Sequence, residues 1–144
     1  MATTYVQLAQ APSVYAIPVY NASTTADIAV NSVVALDTAN NLTNTVPYIA
    51  VAVPGTATPK QCVGIACATI PSLSEGKIIP LGLVAAAVCY QTVNAGSVVD
   101  NCTVPNYTGR IQAHTGTSPQ VGVALAAGAD GDTIPVLLAH AANV

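Results

Sequence analysis

Residues 121–138 read Val121-Gly122-Val123-Ala124-Leu125-Ala126-Ala127-Gly128-Ala129-Asp130-Gly131-Asp132-Thr133-Ile134-Pro135-Val136-Leu137-Leu138. In the first five residues, Val121, Val123 and Leu125 alternate with Gly122 and Ala124. That is the period of two expected of a strand, not the 3.6 of a helix. Asp130-Gly131-Asp132 then reads as a turn, because Gly131 can take the positive φ a chain reversal needs while its charged neighbours stay in water. Three short words of this kind recur upstream in the same order. Val63-Gly64-Ile65-Ala66-Cys67-Ala68 matches Val121 to Ala126, and Glu75-Gly76-Lys77-Ile78-Ile79-Pro80-Leu81 matches Asp130 to Val136. Asn31-Ser32-Val33-Val34 matches Gly96-Ser97-Val98-Val99. Recurrence in order, with spacings that differ as loop insertions do, points to a duplicated β unit over approximately 31–89 and 96–142.

The rest of the chain agrees. Tyr48-Ile49-Ala50-Val51-Ala52-Val53 puts Ile49, Val51 and Val53 on one face. With 10 Gly and 10 Pro, few windows remain for a helix. Only 124–129 and 83–88 stand as short helical candidates. The expected class is mainly β: a small single-domain β-barrel or β-sandwich over 21–144, in which both units close together and remove free edges. Gly76 and Gly131 are expected at the turns. Pro80 and Pro135 are expected early in the strands that follow, where a missing N–H is tolerable. Residues 1–20 stand outside the repeat as an extended arm held open by Pro12 and Pro18. The arm carries Tyr5, Val6, Leu8, Val14, Tyr15, Ile17 and Tyr20, more apolar bulk than a free tail needs. Such a segment adds to a sheet or docks on a neighbour.

Composition narrows the function. Of 144 residues only 6% are charged, 52% are hydrophobic and the formal net charge is −3. Low hydrophobicity and high charge mark disorder, and this chain has the reverse. Three basic residues against six acidic ones cannot neutralise a phosphate track, so no nucleic-acid partner is expected. The most apolar run, 78–90, is too short to span a bilayer as a helix, which needs roughly 20 residues, and Pro80 and Gly82 interrupt it. The first residues show no secretory signal, so folding in a reducing cytoplasm is expected, with Cys62, Cys67, Cys89 and Cys102 as buried free thiols. The Asn-x-Ser/Thr triplets at Asn21, Asn41, Asn101 and Asn106 follow from a Thr- and Asn-rich composition.

No catalytic or cofactor signature stands out. Asp130 and Asp132 lack the downstream ligands of a calcium loop, and the cysteines match no zinc spacing. His114 and His140 have no orienting partner evident in sequence. Lys60, Lys77 and Arg110 are scattered. No enzyme, metal or cofactor is expected. A surface this poor in charge is weakly defended against association, which implies that much of it is covered by other subunits.

The stretch from Val121 to Leu138 resembles the C-terminal signature of tailed-phage capsid cement, or head decoration, proteins. Ser32-Val33-Val34-Ala35-Leu36-Asp37 and Asn94-Ala95-Gly96-Ser97-Val98-Val99 resemble that family's strand entries, with Asn31 and Ser97 departing from its pattern. The resemblance covers roughly 28–139. It implies a β-rich homotrimer on the outside of an icosahedral head, bound to the major capsid protein and clamping neighbouring subunits, with an N-terminal segment reaching across. It offers no catalytic residues.

Three other readings remain open. One is a different virion β protein, such as a head fibre base, a minor capsid protein or a tail-tube-like ring component. A small β-barrel binding module for a sugar or lipid would need clustered aromatics, against six dispersed Tyr and no Trp. An enzyme would need His114 beside a carboxylate in a cleft.

Overall fold

A computed structural model describes residues 16–38, 49–54, 62–116 and 118–139. Among the described residues ten strands follow one another: β1 Ile17–Asn21, β2 Val33–Leu36, β3 Ile49–Ala52, β4 Cys62–Ala66, β5 Ser74–Ile79, β6 Gly82–Val88, β7 Val98–Asn101, β8 Ile111–Ala113, β9 Gln120–Ala124 and β10 Thr133–Leu138. The described residues contain no helix. Leu83 to Val88, a helical candidate by composition, forms β6, and 124–129 is the end of β9 with the bends after it. Backbone pairing across the sheet outweighs the weak helix preference of short Ala runs.

The duplication is present, but the two copies form separate sheets, and only the first is a closed barrel. The first unit is a closed barrel in the order β1-β3-β2-β4-β5, with β1 parallel to β3 and antiparallel to β5. The second repeats it as a sheet in the order β6-β10-β9-β7-β8. Its outer strands meet at one parallel bridge, Cys89 with Ile111, where Tyr90 N donates to Ile111 O at 2.7 Å. The units therefore run from β1 to β5 and from β6 to β10, whereas the sequence words suggested approximately 31–89 and 96–142. The first strand of each unit matches too weakly in sequence to be seen.

The hydrogen bonds fix the correspondence. Asn31 N donates to Ala66 O and Ala66 N to Ser32 O; Gly96 N donates to Ala124 O and Ala124 N to Ser97 O. Asn31 (φ 65°) and Gly96 (φ 81°) take the same left-handed turn. Ile28 bridges Ile70 as Val93 bridges Gly128. Both units bulge at the same place, between Val34 and Ala35 and between Val99 and Asp100. Gly64 and Gly122 correspond as expected. A Cβ on Gly64 would stand 2.7 Å from Ile79 O, and one on Gly122 would run into Leu137 O. Close approach of the neighbouring strand is why each unit needs Gly there.

The second half of the repeat is shifted by three residues. Gly76 is not at a turn: it lies inside β5, paired with Val19. The position equivalent to Gly131 (φ 83°) is Leu73 (φ 54°), an apolar residue that carries no turn signal. Nor does Pro80 open the next strand; it follows β5 in the short link to β6. Pro135 sits within β10 where the register to β6 shifts between Ile134 and Val136, and that irregularity accommodates its missing N–H.

Among the described residues two clusters form the core. Val19, Ile28, Val34, Val51, Ala66, Ile70 and Ile78 fill the first barrel. The other cluster fills the second unit and extends into the first through Val33, Cys62 and Ile65, with Ile79 packed against it. Val33 N also donates to Gly109 O of the second unit at 2.8 Å. The outer face of β2 and β4 is thus the seam between units. Burying each large aliphatic side chain there contributes about 1.5–3 kcal/mol.

Candidate functional site

Of the expected arm residues, Tyr5, Val6, Leu8, Val14 and Tyr15 lie outside the described residues. Ile17 and Tyr20 belong to β1 and are part of the barrel wall, with Ile17 packed on its core. The edge of β5 needs a partner to close the barrel, and this stretch supplies it.

The structure brings His114 beside a carboxylate, a pairing hidden in the sequence. Asp100 leaves β7 fully buried, and His114 follows β8. The β7–β8 register, Val99 opposite Ala113, sets them side by side. His114 Nδ1 lies 2.7 Å from Asp100 Oδ1, while Thr115 N donates to Oδ2 at 2.8 Å. Burial of a carboxylate is costly unless its oxygens are satisfied, and both are. The Thr115 hydroxyl also donates to Asp100 Oδ2, at 3.4 Å. The geometry is that of a lock tying the 113–116 segment to β7. The neighbouring Asn101 is fully buried, and neither side-chain polar atom has a hydrogen-bond partner among the described residues.

A second constellation closes the seam of the second unit. Arg110 Nη1 donates to Asp130 Oδ1 at 3.1 Å and to Cys89 O at 3.5 Å. Its guanidinium stands 5.0 Å from the Tyr107 ring, which lies 4.7 Å from Tyr90. Asp130 also accepts from Gln91 N. This half-exposed buckle holds the loop before β8 against the turn before β10, beside the Cys89–Ile111 bridge. Asp130 and Asp132 do not converge on a site: Asp132 Oδ2 accepts from Ala129 N and caps its own turn. Among the described residues no group of His, Cys, Asp and Glu could hold a metal ion. No described helix is long and apolar enough to cross a membrane.

Cys62, Cys89 and Cys102 are buried free thiols, as expected, but Cys67 is exposed, just past the end of β4. Burial pushes the Cys62 thiol up to about 12, against small opposing effects of hydrogen bonds to the Gly64 and Val34 backbone. Burial also raises the other three. None is poised as a thiolate nucleophile.

What the surface does offer is apolar area. Leu36 and Ile49 are exposed on β2 and β3, Leu81 on the link between units, and Val98, Leu125 and Leu137 on one side of the second unit. Sequence reasoning missed these positions because a strand's inner and outer aliphatics look alike once both faces carry them.

No protein-family model matches the chain, and no curated protein matches it. Among solved structures, the N base of head fibre gp8.5 of bacteriophage phi29 is similar, with a TM-score of 0.60 at 9% identity. The similarity covers 88% of this chain and 94% of that one. At that identity it establishes a shared fold: the paired β units are an architecture also used by a phage head fibre base.

Proposed function

We propose that the chain is a structural protein of a phage virion, made in the host cytoplasm and carried as a homotrimer on the outer surface of an icosahedral head. There it stabilises contacts between major capsid subunits. The observation that carries this reading is the fold shared with a head fibre base over nearly the whole of both chains. The resemblance of residues 28–139 to cement proteins and the scarcity of charge support it. The mechanism is additive. Each apolar contact is modest, but several copies of the chain engaging several capsid subunits bind through a high effective concentration. The reading assigns no chemistry to Asp100 and His114 and needs no cofactor.

A second reading, the base of a head fibre, is favoured by the same fold likeness. Mixing the purified chain with heads assembled from the major capsid protein of the same phage separates the two. A cement protein pellets with heads and raises the temperature at which they rupture. A fibre base pellets and leaves that temperature unchanged. A chain that stays in the supernatant contradicts both.

A further inference from the structure

In the first unit, Val33 of β2 pairs with Ile65 of β4, and Ile65 with Ile79 of β5. The three form one row across the outside of the barrel, and the second unit covers it, leaving Val33 0% and Ile65 1% exposed. The equivalent row in the second unit is Val98, Val123 and Leu137, paired in the same register across β7, β9 and β10 and continued by Leu83 on β6. Here nothing among the described residues covers it: Val98 is 36% and Leu137 44% exposed, Val123 and Leu83 are half-buried, and Leu125 flanks them at 49%. β6, β9 and β10 contain no charged residue. The one acid of β7, Asp100, is buried under His114. The fold therefore carries the same apolar row twice and seats a neighbouring unit on only one of them.

We propose that the row Val98–Val123–Leu137–Leu83 is the surface on which a second copy of this chain docks, continuing between chains the unit-on-unit packing already made within one. An apolar, charge-free row is matched by a partner of the same kind, and the chain is its own source of such units. This deepens the proposed function by naming where copies meet. It does not depend on heads, because it is tested on the free chain.

Light scattering on the purified full chain gives its solution mass. The expected result for the wild type is a mass of two or more times 14.4 kDa. The double variant Val123→Asp, Leu137→Asp falls to the single-chain mass while keeping its β circular dichroism. Leu73→Asp, at a more exposed position on the first unit, leaves the mass unchanged. A double variant that fails to fold moves the test to Leu137→Lys, the more exposed position, with the same expectation. A monomeric wild type overturns the proposal, as does a folded charged variant of wild-type mass. Loss of the oligomer in Leu73→Asp overturns it too. Failure to pellet with heads by a chain that still oligomerises through this row removes the virion reading alone.

Discussion

Where the chain returns past the residue 28 or 93 bridge, the first unit carries Ile70 with Gly76 facing it, and the second carries Gly128 with Ile134 facing it. A Cβ on Gly76 would stand 2.6 Å from Ile70 Cδ1, and one on Gly128 2.7 Å from Ile134 Cγ2. The pairs occupy equivalent positions, so one interior site is filled by an isoleucine from opposite sides, with glycine making room each time. Interiors are packed close to crystal density, and volume is conserved even where the residue supplying it is not. Two diverged copies of a fold can thus keep their packing while losing the sequence identity that would reveal it.

The sharpest way to break that comparison is to exchange the pair. Ile70→Gly leaves a cavity and is expected to cost about 4 kcal/mol. Gly76→Ile forces two side chains into one space at a cost of about 3 kcal/mol. The double variant, rebuilding the second unit's arrangement in the first, is expected to be more stable than the sum of the two losses by about 2–3 kcal/mol. Urea denaturation of all four proteins reads this. Additive losses would show that the two sites do not share one volume.

A smaller difference separates Cys62 of β4 from its counterpart Gln120 of β9. The Cys62 thiol ionises near pH 12 when folded, against 9.0 as the ordinary value. Above pH 9 the unfolded chain releases this proton and the folded chain keeps it, so stability present below that pH drains away as pH rises towards 12. The slope is about 1.4 kcal/mol per pH unit from this group. Unfolding midpoints between pH 8 and 10.5 are expected to fall more steeply in the wild type than in Cys62→Ala. Parallel curves would remove the buried thiol as the cause.

The smallest effect concerns the turn. Leu73 holds a left-handed conformation that its counterpart Gly131 adopts without strain. Leu73→Gly is expected to gain about 0.5 kcal/mol after the entropy of glycine is offset. A loss in the same denaturation measurement would mean that the Leu73 side chain contributes more than its exposed position suggests.

These comparisons also say what sequence could reveal. The Val-Gly-Ile-Ala and Val-Gly-Val-Ala words were legible because both units need a small residue under the neighbouring strand. The pair Asn31 and Gly96 was legible only through the Ser-Val-Val that follows each, and the structure adds that both take positive φ. Gly76 misled because Glu75-Gly76-Lys77 spells a turn, although its glycine serves the Ile70 side chain. The pairing of Asp100 with His114 depends on the β7–β8 register, and the exposed row depends on which faces the units cover. Neither is a local property of the chain, so no short window carries it.

Ile65 and Val123 occupy the same position in the two copies, one inside the seam and one on the open face. Aspartate at each, compared by thermal unfolding under identical conditions, tests the account most directly. Val123→Asp is expected to unfold cooperatively from a folded β state. Ile65→Asp buries an unpaired charge and is expected to lack a folded baseline altogether. Equal stability of the two variants would contradict the claim that the chain is one β unit used twice, with the same face hidden once and presented once.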